Sequence, residues 1–132
     1  MSSAFSNEDI VLMKILKQCP DSPNCVSSQS NSELHKIDPL PYKKTAKETL
    51  QKIKKIILSL PRTTLTKETE HYLHFEFKSL IFRFIDDVEI VVDDSKKMIH
   101  FRSSSRQGYS DLGTNRRRIE TIKKSLTQLQ LF

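Results

Sequence analysis

The sequence predicts an α+β domain: a four-stranded antiparallel meander sheet with helices packed on one face and a long irregular N-terminal arm. Three observations predict it. Apolar residues recur at helix spacing from Ala46 to Leu60, at strand spacing from Arg62 to Ser103, and at helix spacing again from Ile119 to Leu129. Consecutive strands flanked by helices place those helices on one side of an antiparallel sheet. The 132 residues suit one domain with a real core. Residues 1–18 read as an N-terminal helix and 19–132 as the domain, with 19–44 as an extended arm packing on it.

The elements follow in order. Ser6, Asn7, Glu8 and Asp9 make a helix start, a hydroxyl cap with acids in the first turn, and the helix runs to about Lys17, before Pro20. It is apolar on several sides, so it packs against the domain or a partner. The arm from Cys19 to Tyr42 holds four of the five prolines and reads as irregular. Cys19 and Cys25 can bridge across the turn at Pro20–Pro23: a disulfide in an oxidising compartment, a reduced thiol pair in the cytoplasm. With His35 as the only nearby third ligand, no metal is expected there.

Thr45 and Glu48 form a capping box. Ala46, Leu50, Ile53, Ile57 and Leu60 then line one helix face, which Pro61 ends. Thr63 to Thr69 reads as an outer strand, followed by strands carrying Leu73, Phe75 and Phe77, then Val88, Ile90 and Val92, then Ile99 and Phe101. Asp94–Lys97 is a hairpin loop. Setting Asp93 opposite Met98 makes Val92 face Ile99 and Ile90 face Phe101, while Glu89 meets Arg102 and Val91 meets His100. A slip of one residue would set Glu89 against Phe101, so the pattern selects this register. The last helix is capped by Asp111 or Thr114.

The net charge of +6 raises the question of an acidic partner, but many of the lysines are scattered over helical segments, the habit of a solvated face. No apolar run approaches the roughly 18 residues of a membrane span, and no signal peptide is legible. The expected location is the cytoplasm, with an envelope or secreted location as the alternative.

The segment Arg102–Arg118 concentrates the chemistry. It holds five arginines and both glycines of the chain, where a strand hands over to a helix. Guanidinium groups fork onto phosphate or carboxylate, and a helix start adds free N–H groups. Arg102, Ser103, Ser105, Arg106, Tyr109, Asn115 and Arg116 are therefore the candidate ligand-binding residues of a non-enzymatic binding or scaffold domain, for a small anionic molecule or acidic peptide. The competing architectural reading has Asp86, Asp87, Glu89 and Asp111 neutralise Arg102, Arg106 and Arg116 internally, with Tyr109 and Asn115 tying the loop to the sheet. Asp86 and Asp87 point to opposite faces of their strand, so they share no acid–base site.

Two further alternatives stand. A hydrolase-like enzyme would use Cys25, or a serine among Ser103, Ser104 and Ser105, with His74 or His100. A protein–protein interaction module would expose the Ile10–Leu16 helix together with Leu129, Leu131 and Phe132. Nucleic acid is not expected, because a helix spreads Arg116, Arg117 and Arg118 around its circumference and no recognition signature is present. No glycine-rich phosphate loop occurs, and no cofactor is expected.

Three blocks, CPDSPNCVSS from Cys19 to Ser28, DDVE from Asp86 to Glu89 and IHFRSSSRQGYSDLGTNRRRIE from Ile99 to Glu120, resemble the bacterial and plastid family called domain of unknown function 1499. The resemblance covers roughly Cys19 to Leu126. It implies no activity, since the family is named for lacking an assigned one. Relatives often carry an N-terminal membrane span, lipoprotein signal or transit segment, none of which is legible here.

Overall fold

The computed structural model describes residues 15–129. Its elements are β1 (Cys25–Ser27), β2 (Leu40–Pro41), α1 (Ala46–Leu58), β3 (Thr63–Glu68), β4 (Tyr72–Lys78), β5 (Ile85–Asp93), β6 (Met98–Ser105) and α2 (Thr114–Gln128). The helix expected over Ser6–Lys17 lies outside the described residues except for Ile15, Leu16 and Lys17, which are irregular. Leu131 and Phe132 also lie outside them.

The β3–β6 meander is antiparallel throughout, and its last hairpin has the register chosen by apolar matching: Asp93 opposite Met98, Ile90 opposite Phe101, Glu89 opposite Arg102. The strand count needs correction, from four to six among the described residues. The arm, expected to be irregular because of its prolines, contributes two short strands. β1 pairs with the far end of β6 (Cys25 opposite Ser104) and β2 with its start (Leu40 opposite Ile99). An uncovered β6 would leave a row of unpaired backbone groups, and the arm supplies their partners. Pro41 is tolerated because β2 is an edge strand.

Thr45 caps α1 as expected, with its hydroxyl accepting from the Glu48 N–H and the Glu48 carboxylate accepting from the Thr45 N–H. The N-cap of α2 is Gly113 and neither Asp111 nor Thr114, although Asp111, two residues earlier, holds the first turn. Its carboxylate accepts from the N–H groups of Gly113 and Asn115, both at 2.9 Å, whereas Thr114 is the first helical residue. Gly113, in the left-handed region at φ 82°, turns the chain into the helix; a Cβ there would come within 2.9 Å of the Arg117 guanidinium.

Strand alternation divides the sheet into two faces. Leu73, Phe75, Val88, Ile90, Ile99 and Phe101 point toward α1 and α2 and form the core with Ile53, Ile57, Ile119, Ile122 and Leu126. The outer face carries Tyr72, His74, Asp87, Glu89, Val91, His100 and Arg102. Chain 15–19 runs over it, and Leu16 packs on Tyr72 and Val91.

Candidate functional site

The Cys19–Cys25 disulfide brings this covering strip back to β1, with the two Cα atoms 5.7 Å apart. Beside the strip lies a cleft of about 310 Å³, lined by Lys17, Lys67, Tyr72, His74, Asp87, Glu89, Arg102 and Arg106, with Ile15 and Leu16 as its apolar wall. Every strand from β3 to β6 contributes an outward side chain, because in the paired registers Lys67 faces His74, His74 faces Glu89, and Glu89 faces Arg102.

The cleft floor is a chain of charge-assisted bonds. Arg102 Nη1 donates to Glu89 Oε1 at 3.1 Å and Nη2 to the Gln18 carbonyl at 3.4 Å. Tyr72 donates to the other Glu89 oxygen. Burial, reinforced by that carboxylate, pushes the phenol well above its ordinary pKa and keeps it a donor. Arg106 donates from Nε and Nη2 to both Asp87 oxygens, at 2.7 and 2.8 Å, and from Nη2 to Glu76 at 2.7 Å. His74 Nε2 lies 2.8 Å from Asp87 Oδ1. Burial tends to raise the Asp87 pKa, but the bonds from Arg106 and His74 outweigh it and hold the carboxyl below its ordinary value. One donor stands out: Arg102 is only 6% exposed, yet its Nε has no hydrogen-bond partner among the described residues.

The seven candidate residues do not share this place. Arg102 and Arg106 line the cleft. Ser103, Ser105 and Asn115 lie on the helix side of the sheet. There Ser103 donates to Asn115 Oδ1, and Asn115 Nδ2 donates to Ser105 Oγ, Asp111 Oδ2 and the Asn24 carbonyl. Arg118 completes that network through Asn115 and an ion pair with Asp86 at 2.8 Å, stacking over Phe77. Arg116 ties α2 to the arm by donating to the Lys36 and Leu34 carbonyls at 2.8 and 3.2 Å. Tyr109 is 70% exposed on the loop between β6 and α2. Of the proposed charge partners, Glu89, Asp87 and Asp86 each meet an arginine, whereas Asp111 holds backbone and Asn115 amides instead.

None of the nucleophile–histidine pairs suggested by the sequence is assembled. Cys25 is spent in the disulfide. The Ser103 and Ser105 hydroxyls bond Asn115 on the opposite face from His74 and His100. Among the described residues Ser104, opposite Asp87 on the histidines' own face, makes no hydrogen bond to either ring. The serine that meets His100 is Ser28 of the arm, with Oγ 2.9 Å from Nδ1; that Oγ also accepts from the Phe101 N–H. Burial holds the His100 pKa below its ordinary value, so the ring is neutral near pH 7. His35 turns to the Ser22 carbonyl, 2.9 Å away. Of the apolar surface expected of an interaction module, Leu16 is buried, whereas Ile15 and Leu129 are exposed. Sequence reasoning missed Lys17 and Lys67 as cleft residues. Only the polar alternation around Tyr72, His74 and Glu76 signalled that this face was the open one.

The architecture defines a small α+β domain with one helix-covered sheet face and one charge-crossed face, partly covered by a disulfide-tied strip. A family model described as "Protein of unknown function (DUF1499)" matches residues 15–126, and the chain belongs to that family. A comparison with curated proteins gave no match.

Proposed function

We propose that this protein is a non-enzymatic binding domain whose outer-face cleft accepts a small carboxylate- or phosphate-bearing molecule. The observation that carries the reading is the partnerless Nε of buried Arg102 in the cleft lining. A buried donor without an acceptor is costly. Because this Nε is shut off from solvent, a ligand oxygen would relieve that cost once the guanidinium turns toward the cleft. Charge supports the same reading: four cations (Lys17, Lys67, Arg102, Arg106) face two carboxylates (Asp87, Glu89) across the lining. The disulfide favours an oxidising compartment over the cytoplasmic expectation.

The test is titration with inorganic phosphate, sulfate and citrate, followed by NMR at the Arg102 Nε–Hε group and by thermal unfolding. Binding should move that resonance and raise Tm. Lys67→Ser, at an exposed position, should weaken binding while leaving the unliganded Tm in place. A resonance indifferent to all three anions would sink the reading.

A further inference from the structure

Among the described residues, the loop between β4 and β5 gathers four exposed large apolar side chains. Leu80, Ile81 and Phe82 follow one another at its tip and are 66%, 78% and 72% exposed, with Phe84 behind them at 48%. A short apolar run in a loop normally folds inward; this one is held outward. The Ser79 N–H donates to the Phe84 carbonyl at 2.8 Å and the Phe84 N–H to the Ser79 hydroxyl at 2.9 Å, closing the base of the turn. Arg83 takes a left-handed conformation at φ 60°. The Phe82 and Phe84 rings stack on each other, 5.5 Å between centroids, so their contact is within the loop.

The charges left without an ion-pair partner at the loop base are positive, although Glu76 stands among them. Arg62, Lys78 and Arg83 ring the loop base, and none of the three has an acidic ion-pair partner among the described residues. The nearby acids are already engaged, Glu76 and Asp87 by Arg106 and Asp86 by Arg118. The chain from Ser79 to Phe84 contains no acid of its own. Topology adds to the same end of the sheet: Arg106 follows β6 there, its N–H donating to the Ile85 carbonyl, and the loop that continues from it exposes Tyr109 and Leu112.

We propose that this end of the domain docks on an anionic lipid bilayer, with Leu80, Ile81, Phe82 and Phe84 entering the interface and Arg62, Lys78 and Arg83 meeting headgroup phosphates. Interfacial binding of this kind needs buried apolar area together with attraction to anionic lipid, and it needs no spanning helix. No helix among the described residues is long and apolar enough to cross a membrane. A narrow protruding tip with a cationic collar fits a soft, negatively charged surface. A protein partner would call for a broader patch with mixed polar pairing. None of the inserting residues and none of the collar (Arg62, Lys78, Arg83) lines the cleft. Arg106, which lies near both, is left unchanged in the vesicle test, so the two proposals fail independently.

The experiment is co-sedimentation of the whole chain with phosphatidylcholine vesicles, with and without phosphatidylglycerol. The protein should pellet with the anionic vesicles and stay in solution with phosphatidylcholine alone. Ile81→Ser with Phe82→Ser should weaken partitioning by about tenfold or more. Arg62→Ser with Lys78→Ser should remove the preference for anionic lipid, and both variants should keep the parental Tm. Soluble glycerol phosphate should not release the bound protein; release would mean headgroup capture without insertion and would overturn the proposal. So would failure of the parent chain to pellet, unchanged partitioning of the Ile81–Phe82 variant, or a concentration-dependent dimer abolished by that variant.

Discussion

Arg102 donates to Glu89 from a nearly sealed position, while Arg106 meets Asp87 and Glu76 with its guanidinium almost half exposed. Burial decides what each is worth. Arg102→Met strands a shielded carboxylate, and losing one partner of a buried pair costs about 3–5 kcal/mol. Arg106→Met removes a solvent-screened pair, for which about 1 kcal/mol or less is the usual scale. Urea unfolding of the two variants should separate them by at least about 2 kcal/mol; equal losses would contradict the assigned burial. Titration gives a second residue-scale prediction. His100, Asp87 and Asp111 all have folded pKa values below their ordinary ones of 6.5, 3.8 and 3.8. In each case the unfolded chain takes up its proton at higher pH than the folded chain, so stability is lost as pH falls. The loss should begin below about pH 6.5 through His100, and a second fall should begin near pH 3.8 through the two carboxyls. His100→Asn should abolish the first fall and leave the second, as read from unfolding free energy against pH. At this scale the sequence already paired Glu89 with Arg102, because register alone sets them opposite. It also offered Asn115 as a tie between loop and sheet, which the bonds to Ser103 and Ser105 make. It did not offer the further bond to the Asn24 carbonyl, since an amide's partners depend on which elements converge around it.

The arm is the element where local and tertiary signals disagree most. Four prolines forbid a regular strand over its length, yet five residues suffice to pair with β6, three at Cys25–Ser27 and two at Leu40–Pro41, while Lys36 bridges to Ser27 of β1. The disulfide holds the strip 15–19 against the outer face together with the Leu16–Tyr72–Val91 contact and the Gln29 bond to the Leu16 N–H. Closing so small a ring constrains the unfolded chain modestly, by about 2 kcal/mol. Cys19→Ala with Cys25→Ala should therefore lower stability by about that much without unfolding the domain. Hydrogen exchange should accelerate at Leu16 far more than at Phe75 in the core; uniform acceleration would show that the bridge supports the whole sheet instead. By contrast α1 and the β5–β6 hairpin were legible from the start. Their determinants, the Thr45–Glu48 cap and the apolar match of Ile90 with Phe101, lie within a few residues or follow from period and a tight turn.

For the whole molecule, any ligand seated in the cleft must stabilise the fold by mass action. At ten times its dissociation constant an anion adds about 1.4 kcal/mol to the unfolding free energy. That increment should appear in the parent chain, shrink in Lys67→Ser and persist in the Ile81–Phe82 variant. The reverse pattern would move anion binding from the cleft to the apolar end. The sheet separates these surfaces because alternation sends Lys67, His74, Glu89 and Arg102 to one face, while the β4–β5 connection projects from an end.

The sequence by itself determined the antiparallel meander, the Thr45–Glu48 cap of α1, the register of the last hairpin and the gathering of arginines after β6. Each depends on periodicity, caps or neighbours close along the chain. Only the tertiary structure decided that those arginines would part company: Arg102 and Arg106 to the outer cleft, Arg118 to the helix side, and Arg116 to the arm. The physical reason is that a guanidinium goes where acceptors are left over. Those acceptors, the carboxylates of β4 and β5 and the carbonyls of the arm, come from segments far away in the chain that only folding brings within reach.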